Sequence, residues 1–171
     1  MRKSLILVSI IALLVACQSA KDKSLQNINT LEKKLHDNPA MVMDKTFVRE
    51  LTLAYSEFSE KFSEDTLAAE YLFRAGEIAN GIMLPNDAIN YFKKVYEKYP
   101  AHNKAATALF LQGFVYETQL KNIEKAKVIY IEFLTKYPQH KLAKDVQFSL
   151  DNLGKSDEEL IKMFNKKNQT P

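Results

Sequence analysis

Ala88-Ile89-Asn90-Tyr91-Phe92-Lys93-Lys94-Val95-Tyr96-Glu97-Lys98-Tyr99-Pro100 returns, altered but recognisable, as Ala126-Lys127-Val128-Ile129-Tyr130-Ile131-Glu132-Phe133-Leu134-Thr135-Lys136-Tyr137-Pro138. Ala88 and Ala126, Phe92 and Tyr130, and the two Lys-Tyr-Pro endings are each 38 residues apart, and Gly76 recurs as Gly113 after 37. A period of this size marks stacked helical hairpins, which present a surface to partners rather than a catalytic pocket. An earlier, degenerate copy is also visible: Tyr55 precedes Phe92 by 37 residues, and Lys61-Phe62-Ser63 precedes Lys98-Tyr99-Pro100 by the same interval.

Outward from the repeat, apolar residues recur at three- and four-residue spacing, the signature of amphipathic helices. The pattern predicts helices over about 44–62, 67–80, from Pro85-Asn86 to just before Pro100, 104–120, 122–136 and 142–153, preceded by a stretch from Asn29 that Asn38-Pro39 interrupts. Asn122 is suited to cap the 122–136 helix, and Gly154 to stop the 142–153 helix. Ser156-Asp157-Glu158-Glu159 has the form of a capping box opening a last helix, in which Leu160, Ile161 and Phe164 make an apolar stripe. That stripe would cover the end of the solenoid, dock a partner, or lie on a membrane. Four glycines and five prolines in 171 residues leave few turns, and no stretch alternates as a strand does. The chain is therefore expected to be all-α.

The N-terminus bears on location. Arg2 and Lys3 precede a twelve-residue apolar run, Leu5–Ala16, broken only by Ser9. Twelve helical residues span roughly 18 Å, short of a bilayer core of about 30 Å, so a secretory signal peptide fits better than a retained span. Leu14-Val15-Ala16-Cys17 resembles the lipobox of bacterial lipoproteins. That resemblance implies cleavage after residue 16, acylation of Cys17, and attachment to the membrane through the lipid. The alternative is an ordinary signal peptide with a chance cysteine. Cys17 is the only cysteine, so no disulfide can form within the chain. Gln18 follows it, where an Asp in that family often favours the inner membrane, so the resemblance leans to the outer membrane, facing the periplasm.

Without its first sixteen residues the chain would retain 155, enough for one domain, and 22 basic against 21 acidic residues. Near-neutral charge argues against a general nucleic-acid binder. The expected organisation is a signal peptide at 1–16, a polar tether at 17–28, a helical domain at 29–165 and a disordered tail at 166–171.

The repeats are similar to the tetratricopeptide repeat family, which places a small residue and Gly in the first helix of a hairpin. Ala, an aromatic and a bulky residue follow in the second helix, with Pro after it. Ala75-Gly76, Ala88, Phe92, Val95 and Pro100 match once; Gly113, Tyr116, Ala126, Tyr130, Phe133 and Pro138 match again. The resemblance implies a right-handed α-solenoid of about three hairpins with a C-terminal capping helix. In this family the first helix of each hairpin lines the inner face, at positions that fall here on Phe73, Glu77 and Asn80, then Phe110, Phe114 and Glu117. Those aromatics would receive an apolar peptide or helix from a partner, or else lie in the core. Glu77 and Glu117 would repel a peptide carboxyl terminus. The long period with Tyr-Pro endings is also similar to envelope members of the family. One is the lipoprotein subunit of the β-barrel assembly machine, which has more repeats than this chain has room for. Another is the periplasmic coordinator of envelope constriction. A third possibility is a structural lipoprotein that self-assembles.

Catalytic chemistry has little support. There is no Gly-rich phosphate loop, Gly-x-Ser-x-Gly or His-Glu-x-x-His motif. His102 and His140 occupy equivalent places in successive repeats, which helix packing at 8–10 Å separates by too much for one zinc ion. His36 stands alone. Neither metal, cofactor, nucleic acid nor small-molecule substrate is expected; the expected partner is a protein or peptide of the envelope.

Overall fold

In the computed structural model, residues 2–156, 158–159 and 161–163 are described, with side chains from residue 18 onward. All the regular structure among them is helical: α1 (Arg2–Asp37), a 3₁₀ turn (Pro39–Met43), α2 (Lys45–Lys61), α3 (Thr66–Gly81), α4 (Pro85–Lys98), α5 (Ala105–Thr118), α6 (Ile123–Lys136) and α7 (Ala143–Asn152). The chain forms two compact units, residues 1–82 and 83–171. Within each unit the helices pack on their neighbours in sequence.

The turns show the repeat most directly. The residues that end α2, α4 and α6 are Phe62 (φ −125°, ψ 54°), Tyr99 (−127°, 54°) and Tyr137 (−128°, 50°). Each donates its N–H to the carbonyl four residues back, and its own carbonyl accepts from Asp65, His102 or His140 respectively. Those three residues in turn accept from the backbone two residues on: Asp65 Oδ1 from Leu67 at 2.9 Å, His102 Nδ1 from Lys104 at 3.3 Å and His140 Nδ1 from Leu142 at 3.2 Å. The turn after Phe62 is therefore a third copy of the two Tyr-Pro turns, without the proline. The histidine pair considered for metal is built into turn closure instead.

The loops that lead into α4 and α6 match as well. Met83 (φ 60°) precedes α4 by the same interval as Lys121 (φ 51°) precedes α6, and both take the left-handed conformation. Asn122 Oδ1 then accepts from Lys125 N–H at 3.0 Å, the cap expected of it. Pro39 converts the chain to a 3₁₀ turn, and Asp44 restarts it by capping Thr46 and Phe47. Gly154 takes φ +82° after α7. Ser156 and Glu159 exchange backbone and side-chain hydrogen bonds at 2.8 and 3.3 Å, the reciprocal capping box. Of the stripe beyond it, Ile161 is 58% exposed, while Leu160 and Phe164 lie outside the described residues, as does the tail 166–171.

In the first unit, residues 17–28 are not a tether. They are helical and continuous with the rest of α1, because the burial of Ile28 and Leu31 begins inside that segment. Glu32 of α1 joins three helices: its Oε1 accepts from Tyr55 Oη of α2 at 2.9 Å and Arg74 Nη1 of α3 at 2.7 Å. Tyr55 stacks on Tyr71 at 5.1 Å, and Phe58 meets Tyr71 edge-on at 5.0 Å. Lys21 of α1 forms an ion pair with Asp65, the cap of α3.

In the second unit, Leu109, Tyr130, Phe133 and Val146 form the core of α5, α6 and α7. Gly113 permits it. A Cβ there would lie 2.6 Å from Tyr130 Cε1 and 2.8 Å from Cδ1, and Tyr130 is fully buried and cannot move aside. Tyr96 Oη donates to Glu132 Oε1 at 2.6 Å, and Lys136 Nζ reaches the same carboxylate at 2.9 Å, tying α4 to α6.

Gly113→Ala should therefore lose about 1–3 kcal/mol in denaturant unfolding. Gly81→Ala, with nothing within 4 Å of the added Cβ, should be neutral or gain up to about 1 kcal/mol. Asp65 gives a pH test. Lys21, and then the Leu67 N–H, hold its carboxyl below the usual value. A carboxylate depressed in the folded state contributes stability at neutral pH that is lost as pH falls through the ordinary carboxylate range toward the folded value. Asp65→Asn should keep the cap but make stability fall less steeply below about pH 5, as read by unfolding midpoints across a pH series.

Candidate functional site

The inner-face positions fall in two units and have different fates. In the first unit Phe73 is 2% exposed and offers no surface to a partner. The helical period that places it on the family's inner face also places it among the buried positions of α3, which include Ala69, Leu72 and Gly76. Glu77 is exposed and Asn80 half-buried.

In the second unit Phe110, Phe114 and Glu117 follow one another at spacings of four and three along α5 and so share a face. Phe110 is half-buried: it stacks on Tyr130 at 6.0 Å and meets Phe133 edge-on at 6.4 Å, as part of the core wall. Phe114 lies 6.2 Å from Phe110 and is 38% exposed, which makes it the accessible aromatic of the set. Glu117 Oε2 accepts from Tyr130 Oη at 2.6 Å. Burial, and then the Glu117 carboxylate, push the Tyr130 hydroxyl well above its ordinary ionisation, so it remains a neutral donor. Glu117 thus serves the fold through one oxygen. These three residues share one face of α5, and of them Phe114 is the exposed one.

The opposite side of α5 carries a feature the repeat pattern did not single out. Gln112 and Tyr116 lie two residues from Phe110 and Phe114, about 200° around the helix. They line an open groove of about 390 Å³ with Ile89 and Lys93 of α4 and Lys125, Val128 and Ile129 of α6. Lys125 Nζ sits 5.1 Å over the Tyr116 ring, and Val128 is 65% exposed. The signal was present in α6, where Val128 and Ile131 put aliphatic side chains on a face that repeat packing does not use. No group of three or more His, Cys, Asp or Glu residues that could hold a metal is found among the described residues.

Residues 107–140 match the family model for the tetratricopeptide repeat. That segment runs from the third residue of α5 through α6 to His140, so it takes in Phe110, Phe114, Gly113 and Tyr130. The chain carries a tetratricopeptide repeat, and such repeats are generally non-catalytic scaffolds that bind protein partners. No curated protein matches this sequence.

The division of α5 into structural and accessible aromatics is measurable. Phe110→Ala should cost about 2 kcal/mol or more, through lost packing on Tyr130 and Phe133. Phe114→Ala should stay within about 0.5 kcal/mol of wild type. Tyr130→Phe should lose about 1–2 kcal/mol, because Glu117 loses its donor. Comparable losses for Phe110 and Phe114 would contradict the assignment.

Proposed function

We propose that this protein is a lipid-anchored tetratricopeptide-repeat scaffold of the bacterial cell envelope that binds another envelope protein and performs no chemistry of its own. The observation that carries the binding role is the repeat at 107–140, whose first helix presents Phe114 outward beside a rigid aromatic wall. A preorganised apolar anchor of this kind suits a partner helix or extended peptide. The envelope location rests on Leu5–Ala16 followed by Cys17, which would be acylated and hold the protein on the periplasmic side of the outer membrane. The Cys17 side chain lies outside the described residues. Among the described residues no helix is long and apolar enough to cross a membrane. Within the envelope, the long repeats with Tyr-Pro endings favour an accessory role in outer-membrane protein assembly.

The test is photo-crosslinking in cells from position 114 and, separately, from position 128, followed by mass spectrometry. Phe114→Glu and Val128→Asp variants are checked for unchanged unfolding. Crosslinks from 114 to components of barrel assembly, with the same components lost from co-purification by Phe114→Glu and retained by Val128→Asp, are the expected result. Crosslinks to cell-wall enzymes would move the role to coordination of envelope constriction. Capture only from 128 would move the binding surface to the groove of Ile89 and Val128, and self-crosslinks alone would indicate a self-assembling structural protein.

A further inference from the structure

Residues 17–28 are helix where a flexible tether is expected, and this bears on what the first unit touches. α1 runs unbroken to Asp37 and is fastened to that unit almost from the point where its side chains are first described. Ser19 and Ala20 line an open cleft with Lys23, Ser24, Asn27 and Lys61, the last residue of α2. Two residues on, Lys21 is paired with Asp65, which caps α3. Ile28, Leu31 and Glu32 complete the attachment, the first two by burial and the third through Tyr55 and Arg74.

The geometry limits how far this end can stand from residue 17. Residues 17 to 19 span about 3 Å as helix and no more than about 7 Å fully extended. The headgroup layer on one side of a bilayer is about 5–7.5 Å thick, half the difference between a core of about 30 Å and a whole bilayer of about 40–45 Å. The near end of the cleft, at Ser19, therefore lies within about one headgroup thickness of residue 17, and Lys61 lines that same cleft.

From this, and resting on the reading of Cys17 as acylated, we infer that the α2–α3 turn of the first unit rests on the phospholipid headgroup surface. The side chains there suit that position. Phe62 is half-buried with Lys61 Nζ 5.6 Å over its ring, and Leu67 is 38% exposed. Lys23 and Lys61 are long enough to keep their ammonium groups among phosphates while their stems lie on apolar surface. Glu64 and the paired Asp65 on the same turn offset those cations, so the surface suits a predominantly zwitterionic headgroup layer rather than a strongly anionic one. The opposite end of α1, twenty residues on at Asp37, is about 30 Å away along the helix. The 3₁₀ turn with the 81% exposed Met43 follows it, at the far end of that length from residue 17.

The experiment uses the full acylated protein reconstituted in phosphatidylcholine vesicles containing a minor fraction of phosphatidylglycerol. Because acylation would consume Cys17, Ser63→Cys and Met43→Cys each supply a single reactive thiol for a fluorophore. Its quenching by headgroup-attached nitroxide lipid is then measured. Strong quenching at 63 and little at 43 is the expected result. Insertion of about eight Gly/Ser residues after Gln18, with a coil reach near 15 Å, should reduce quenching at 63 severalfold while leaving thermal unfolding unchanged. Acyl chains on Cys17 by intact mass, with equal weak quenching at both positions, would overturn the inference and leave the lipid anchor standing. Absence of acyl mass on Cys17 would overturn the anchor and the inference together.

Discussion

Tyr130 occupies the space that Gly113 leaves empty, and the second unit is arranged around that contact. The absent Cβ lets α5 approach α6 until the Tyr130 ring lies where any other residue's side chain would begin. Once there, the ring is fully buried, stacks on Phe110 and sends its hydroxyl to Glu117. A buried hydroxyl without such an acceptor is costly, so Glu117 belongs to the same constraint. Phe110 is drawn inward by this stacking, and that leaves Phe114, one turn further along α5, as the aromatic at the surface. The candidate binding residue is thus selected by what the core has already used.

A second constraint is the turn repeated after α2, α4 and α6. Phe62, Tyr99 and Tyr137 stop their helices at nearly the same dihedral angles, and Asp65, His102 and His140 close the turns through the same backbone hydrogen bonds. An aspartate and two histidines are chemically dissimilar, yet each offers an acceptor two residues before an N–H that would otherwise lack one. Their residue type therefore signals turn geometry, and the interpretation of histidine as a ligand is displaced by a structural use. Pro100 and Pro138 lie inside the second and third turns, and the first takes the same geometry without a proline.

The first unit depends on α1 more than its polar sequence suggests. Only Ile28 and Leu31 of the described part are buried, and Lys21 and Glu32 attach the helix through charge. Such pairs are individually modest at partly exposed sites. Glu32, however, receives two donors from different helices, and both would lose their acceptor together. The consequence is positional, because the segment between the N-terminal apolar run and the folded core transmits orientation instead of absorbing it.

The helices, their caps and the repeat were legible in the sequence, because periodic apolar residues, Asn122, Ser156-x-x-Glu159, Gly154 and the Lys-Tyr-Pro endings act locally, within a turn or two of themselves. The close approach at Gly113 was legible too, since only glycine allows it. Residues 17–28 read as a tether because a polar segment shows no periodicity when one buried apolar side chain, Ile28, and one ion pair, Lys21–Asp65, hold it. Phe73 and Phe110 stand at equivalent repeat positions, 37 residues apart, with the same side chain, and nothing in that side chain distinguishes them. That the first is fully buried and the second only half-buried is decided by which neighbours fill the surrounding space, a property of tertiary packing that no local pattern encodes.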